Sequence, residues 1–187
     1  MTAADVSQRL AVPAALAEQG FALRPETEAD VPFLRRLYAS TRWEELAVAT
    51  DWTDEQKHAF LNSQFDLQRH HYLNHYVNSA FDVIEERGVP AGRLYLDRQE
   101  RRLLIVDIAL LPQWRSRGIG TALIEAVFAE ARLAGKEVNI SVEKFNPALR
   151  LYHRLGFRPY AEDSVYWFMY WSPDGSQALD AGQLNSD

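Results

Sequence analysis

The chain contains no cysteine. Disulfides and thiolate chemistry are therefore excluded, and the composition suits a reducing cytoplasm. An excess of positive charge is also missing: 20 Lys and Arg stand against 26 Asp and Glu, a net charge of -6. The basic residues are scattered rather than run together, so nucleic acid is not expected as a partner. No apolar stretch reaches membrane-spanning length, so no membrane partner is expected either. Residues 1–20 carry acidic Asp5 and no basic segment ahead of an apolar run, which does not read as a signal peptide. Apolar and aromatic residues, by contrast, are plentiful, at 47% and 12% of 187 residues. That is enough core for one domain.

Three regions are expected: an N-terminal arm (1–20), a folded domain (21–171) and a polar tail (172–187) that reads as disordered. Phe21–Pro25 reads as a strand stopped by proline. Thr27 then caps a helix whose buried face is Val31, Leu34, Leu37 and Tyr38, with Glu28 and Asp30 at its positive end. From Trp43 to Tyr76 the pattern stays helical but less regular, with a second start at Thr53-Asp54-Glu55. Phe60, Gln64, Leu67 and His71 share one side of it; Leu61, Phe65, Gln68 and Tyr72 share the adjacent one. Strands are predicted over 79–86, 92–98 and 101–110, with turns at 87–90 and 97–100. A helix from Gly118 to Ala134, closed by Gly135, and a strand over 136–142 follow. Strand, helix and strand there form a right-handed crossover, which makes the two strands parallel. Asn146, Pro147 and Gly156 supply N-cap, first residue and C-cap for a short helix over 147–155. A hairpin of 157–160 and 164–171 completes the domain. Its second strand (Val165 to Trp171) is long and aromatic, either a homodimer edge or an ordinary buried strand.

The segment Arg115-Ser116-Arg117-Gly118-Ile119-Gly120-Thr121 links a strand to the amphipathic helix Ile119, Ala122, Leu123, Ala126, Val127. A helix start presents amides without internal partners, and its dipole is positive there. Gly118 and Gly120 leave the backbone bare, and Arg115 and Arg117 add positive charge. The segment reads as a pyrophosphate site or, more plainly, as a tight turn. It is not a dinucleotide fingerprint, since Leu123 stands where a third small residue is needed, nor a P-loop, since no Gly-Lys-Ser/Thr is present.

A second segment narrows the reading. Asn146, Ala148, Tyr152, Gly156 and Phe157 supply, in order, the residues of the pattern Asn-x-x-Ala-x-x-x-Tyr-x-x-x-Gly-Phe. Together with Arg115, Gly118 and Gly120 as Arg-x-x-Gly-x-Gly, in that order, they resemble the GNAT N-acetyltransferase superfamily. The resemblance spans about Phe21 to Trp171 and is strongest from Ile105 to Phe157. It implies an α/β (α+β) three-layer sandwich, α-β-α, with a mixed, splayed sheet of six or seven strands, acyl-CoA N-acyltransferase-like. It also implies acetyl-CoA in the cleft where the strands before Pro112 and after Lys136 diverge. The amides of Arg115, Ser116, Arg117, Gly118, Ile119, Gly120 and Thr121 would hold its pyrophosphate. Backbone groups of Ile108, Ala109 and Leu110 would pair with the pantetheine arm. Asn146 would contact the cosubstrate, and the Tyr152 hydroxyl would lie near its sulfur.

Acetyl transfer to an amine needs a proton acceptor, an oxyanion site and a proton donor for the thiolate. Strand amides near Ala109 and Leu110 suit the oxyanion. Tyr152 is either the acid or a core tyrosine. The family's usual glutamate position, counted back from Arg115, falls on Leu104, which does not titrate. Asp107 is the carboxylate on that strand, but three positions along a regular strand reverse the face. It is a base, an amine anchor or an edge charge; Glu143 is the alternative. His71 and His75 have i, i+4 spacing but no evident third ligand, so no metal is expected. Trp43, Trp52, Phe65 and Tyr72 either fill the core or form an aromatic acceptor wall suited to a cation. The expected acceptor is a small-molecule amine or a peptide. A catalytically silent acyl-CoA-binding module and a protein-docking module are the competing readings.

Overall fold

The computed structural model describes residues 9–176 and residue 178. The chain begins with a one-turn helix α1 (Ala14–Glu18) capped by Pro13, then strand β1 (Phe21–Pro25). A 3₁₀ turn, Glu28–Asp30, leads into helix α2 (Val31–Arg42). Asp30 anchors this entry: its carboxylate accepts from the Thr27 amide at 2.8 Å and from Arg24 of β1 at 2.6 and 2.8 Å. The Arg24 hydrogen bond holds the Asp30 pKa down to about 2.

After the 3₁₀ segment Trp43–Val48 comes α3 (Asp54–His75), started by a reciprocal cap between Thr53 and Gln56. Strands β2 (Ala80–Glu86), β3 (Val89–Arg98) and β4 (Arg102–Leu110) form a meander. The β2–β3 turn is only Arg87-Gly88, both at positive φ, so Val89 and Pro90 belong to β3 rather than to the turn. A two-residue turn of that hand matches the twist of the flanking strands. Helix α4 (Ile119–Ala134), strand β5 (Glu137–Glu143), helix α5 (Leu149–Arg154), and strands β6 (Arg158–Glu162) and β7 (Tyr166–Trp171) complete the domain.

The seven strands form one mixed sheet in the order β1-β2-β3-β4-β5-β7-β6. Only β4 and β5 are parallel, as the crossover requires. Helices α1, α4 and α5 cover one face over the main apolar cluster, which includes Leu94, Ile105, Ile119, Leu123, Val127, Ile140 and Phe157. Helices α2 and α3 cover the other over a smaller cluster of Phe33, Leu34, Leu37, Phe65 and Val83. This is the three-layer fold the motifs imply.

Two expectations change. β7 pairs with β5 on one side and β6 on the other, so its aromatic run is not a sheet edge. The exposed edge is β6, where Pro159 removes a donor. Residues 172–176 are not without structure: the Ser176 amide donates to Asp174 at 2.9 Å, and the Tyr170 hydroxyl donates to the Ser176 carbonyl at 3.3 Å. The expected disorder of the rest of the tail, and the first part of the expected arm, fall outside the described residues. Among the described residues no helix is long and apolar enough to cross a membrane.

Candidate active site

Strands β4 and β5 pair only from Arg102–Ile105 against Glu137–Ile140. Beyond Ile105 and Ile140 they diverge. One edge of β4, from Val106 to Leu110, is therefore free of β5 while the other stays paired with β3. A cleft opens there, with unpaired backbone groups along one side.

A register shift sits at the start of the splay. Tyr95 pairs with Asp107 and Leu96 with Ile105, which leaves Val106 as an extra residue. A bulge of this kind flips the alternation downstream. Before it, Leu103 and Ile105 face the α4 side; after it, Ile108 and Leu110 do, while Ala109 joins the α2–α3 cluster. Asp107 therefore shares the α2–α3 face with Leu104. The regular-strand expectation that three positions reverse the face fails here, because the bulge adds the missing residue.

On that face Asp107 is tied into a half-buried network. Its Oδ2 accepts from Arg93 of β3 at 2.6 Å and from the Tyr72 hydroxyl of α3 at 3.2 Å. Gln68 of α3 accepts from the same guanidinium at 2.9 Å. Asp107 is thus both a paired charge and a group aimed at the cleft. No described residue donates to its Oδ1. Glu143 differs: Arg42, at the end of α2, donates to both of its oxygens, at 2.6 Å to one. Burial works against the Arg42 charge and Glu143 more than offsets it, so the guanidinium sits above its usual range. Glu143 is committed to that pair. Its visible role is to latch α2 to the tip of β5.

Tyr152 lies on α5 beneath the splay, 5% exposed, with its ring edge-on to Phe157 at 5.8 Å. Burial, and after it the negative charge of Asp107, push its hydroxyl above the ordinary tyrosine pKa. The two groups thus sense each other across the cleft although they belong to opposite faces. The helix end beside Tyr152 is a Schellman motif. Phe157 donates to the Tyr152 carbonyl and Gly156 to that of His153, both at 3.0 Å, with Gly156 at φ 94°. The motif explains why Gly-Phe follows. Helix α5 is shorter than predicted, since Asn146 stands ahead of it: its Oδ1 accepts from Ala148 at 2.8 Å and folds the turn that leads in. The Asn146 Nδ2 has no described partner.

At the other end of the cleft Gly118, at φ 78°, starts α4. The first amides of that helix have no partner within it, and space is open around the Cβ position of Gly120. The arginine side chains are turned to other work, contrary to the sequence expectation. Arg115 donates to the Leu110 carbonyl at 2.8 Å and to Ser40 Oγ at 3.0 Å. Arg117 pairs with Glu86 at 2.9 Å. The unpartnered groups of the loop are thus backbone amides rather than these guanidiniums.

The aromatic segment does not close into a cage. Phe65 is core at 1% exposure, Tyr72 serves Asp107, Trp43 stacks on His58 at 4.6 Å and Trp52 meets Phe60 at 5.4 Å. His71 stacks on His75 at 4.1 Å, and among the described residues no group of three His, Asp or Glu is placed to hold a metal. Sequence reasoning missed Arg93 and Arg42, and placed Gln68 on its helix side without its partner. Arg93 carried one signal: an arginine in the middle of an otherwise apolar strand needs a buried partner.

The model of the Acetyltransferase (GNAT) family matches residues 38–157. The chain belongs to that family. It is 28% identical over 80 residues to the uncharacterized N-acetyltransferase CgeE of Bacillus subtilis (strain 168), a stretch covering 42% of this chain and 31% of that protein. Its fold is similar to that of the PaiA N-acetyltransferase from Thermoplasma acidophilum, solved with coenzyme A. The TM-score is 0.60 at 15% identity, covering 81% of this chain and 98% of that one. It is also similar to YncA, a putative acetyltransferase from Salmonella typhimurium solved with acetyl-CoA. That match has a TM-score of 0.52 at 22% identity, covering 87% of this chain and 99% of the other.

Proposed function

We propose that this acetyltransferase moves the acetyl group of acetyl-CoA to a primary amine, on a small molecule or a peptide N-terminus, by direct transfer in a ternary complex. The supporting observation is the β4–β5 splay, with bare amides of the Ser116–Thr121 loop at its mouth and Tyr152 within electrostatic reach of Asp107. The solved relatives that hold coenzyme A and acetyl-CoA share the fold. A chain without cysteine suits the reducing cytoplasm as the place of reaction.

In this reading the loop amides of Ser116 to Thr121 bind the pyrophosphate, since the expected Arg115 amide already donates to the Pro112 carbonyl at 3.1 Å, and Asn146 Nδ2 holds the cosubstrate from the α5 side. The free edge of β4 at Ile108, Ala109 and Leu110 aligns the pantetheine arm. The amine nitrogen attacks the thioester carbonyl carbon; a C–N bond forms, the C–S bond breaks and the electron pair leaves on sulfur. Asp107 Oδ1 receives the proton that the nitrogen sheds. That nitrogen is strongly acidic once bonded to the acyl carbon, so a weak base suffices. β4 amides donate to the oxyanion. Tyr152 stays protonated at neutral pH and donates to the sulfur as charge develops there. Complete transfer to a thiolate of ordinary pKa, about 8.5, is uphill from a tyrosine raised by burial. Tyr152 therefore acts first by hydrogen bonding.

Thiol release from acetyl-CoA across a panel of amines tests the reaction. Tyr152→Phe should lower turnover at least tenfold, roughly the low end for a positioned proton donor, with the KM for acetyl-CoA within about twofold. An unchanged rate removes Tyr152 from the mechanism. Release that no amine accelerates would leave an acyl-CoA-binding module.

A further inference from the structure

Helices α2 and α3 enclose a groove of about 530 Å³ on their outer side, away from the sheet. Arg35, Arg36, Ser40 and Trp43 line it from α2, and His58 and Asn62 from α3; none of the lining residues is acidic. In a chain of net charge -6 that is a local reversal of sign. Arg36 has no carboxylate partner among the described residues; its only recorded bond is to the Pro32 carbonyl, at 3.3 Å. Arg35 pairs with Asp66 at 2.8 Å, but both side chains are about half exposed, and its Nε is a buried donor without a partner. Exposed pairs of this kind are weak and exchange readily. The Trp43 and His58 rings, 4.6 Å apart and tilted by 35°, add an aromatic side.

The groove adjoins the cleft at two points. Ser40 is bonded to Arg115, at the head of the loop, and Trp43 follows Arg42, which is bonded to Glu143 at the tip of β5. On the cleft side Asp107, Glu143 and Glu45 are matched by Arg42, Arg93 and Arg115, so the groove is the more basic of the two regions.

We propose that the groove binds an anionic group carried by the acceptor, so that the preferred acceptor is an elongated amine with a carboxylate or phosphate at its far end. This rests on the amine-acetylation reading. Asn62 in the groove and Gln68, bonded to the Arg93 that holds Asp107, are six residues apart on α3, which spans about 9 Å at the rise of a helix. Allowing for side-chain reach, that is about three to four residues of extended peptide. The amine sits beside Asp107 and the anion lies between Arg35 and Arg36.

Two hexapeptides that differ only at the fourth residue, Glu against Gln, test this with the full-length protein and acetyl-CoA. The Glu peptide should be favoured about tenfold in kcat/KM, the scale of two partly exposed ion pairs. Arg36→Glu alone, an exposed substitution that breaks no ion pair, should erase most of the preference, and adding Arg35→Glu should invert it. A phosphoserine peptide favoured over the Glu peptide, with the same loss, assigns phosphate as the anion. The N-acetylated peptides, titrated by calorimetry, read the groove without turnover. If no peptide is acetylated yet the acetylated Glu form still binds more tightly, and Arg36→Glu removes the difference, the groove stands and the transfer reading falls. Equal binding and equal rates for the Glu and Gln peptides, or a preference that survives both reversals, would overturn the proposal.

Discussion

The two faces of the sheet are held to their helices by different forces. Around α4 and α5 the contact is apolar, made by Ile119, Leu123, Val127 and Phe128 against Ile105, Val138 and Ile140. Its polar features are mostly backbone ones, namely loop amides, an Asx-type turn at Asn146 and a Schellman end at Gly156, and beside them Arg98 of β3 ties to Glu130 of α4 at 2.6 Å. Around α3 the apolar contact is small, with Leu61 and Phe65 the buried side chains of a 22-residue helix. There the helix is joined to the sheet by charges. Arg69 pairs with Glu26 and Glu28, both at 2.9 Å, Gln68 and Tyr72 join the Arg93–Asp107 pair, and the Tyr95 hydroxyl donates to Glu26. The lesson is that the α4–α5 wall keeps its backbone shape through packing. The α2–α3 wall places charge, which costs desolvation and is offset by partners drawn from several elements.

The contrast is open to attack at several points. Arg93→Met should have the largest effect, about 3–5 kcal/mol of stability by urea unfolding, because Asp107 is left buried without its cation. Adding Asp107→Asn should restore part of that loss; no restoration would mean the pair does not hold the wall. Asp30→Asn comes next. The folded carboxyl sits at about 2 against an ordinary value near 3.9. Its stabilisation is thus complete above pH 4 and lost as the pH falls toward 2. The variant should be weaker by about 2 kcal/mol at pH 7 and equal to the parent near pH 2. A difference that persisted in acid would assign the loss to packing instead. Gly120→Ala is the smallest test and separates stability from binding. No atom obstructs the new methyl, and alanine in a first helical turn should add up to about 1 kcal/mol. The KM for acetyl-CoA should nonetheless rise about fivefold, because the methyl occupies the phosphate approach. An unchanged KM would take the pyrophosphate off this loop.

Legibility in the sequence followed the same division. The crossover, the α4 boundaries and the Gly156 stop could be read directly, because each is written in neighbouring residues. Leu61, Phe65, Gln68 and Tyr72 were visible as a shared side of α3, and that side faces the sheet. The partners of Gln68 and Tyr72 were not visible, since Arg93 and Asp107 lie on strands whose pairing no local pattern specifies. The two readings of β7 stayed open for a similar reason: an aromatic strand looks the same whether or not β6 folds back onto it.

By itself the sequence determined the family, the bare helix start at Gly118 and the short helix that carries Tyr152, because backbone hydrogen bonding and helix capping act over a few residues. Only the tertiary structure decided which carboxylate shares the α2–α3 face with Leu104 and which is latched to an arginine of α2. One extra residue at Val106 turns Asp107 to the α2–α3 side, and Arg42 takes Glu143 from a hundred residues away along the chain. A bulge is specified by the strands on either side of it, and an ion pair by whatever the fold brings within reach.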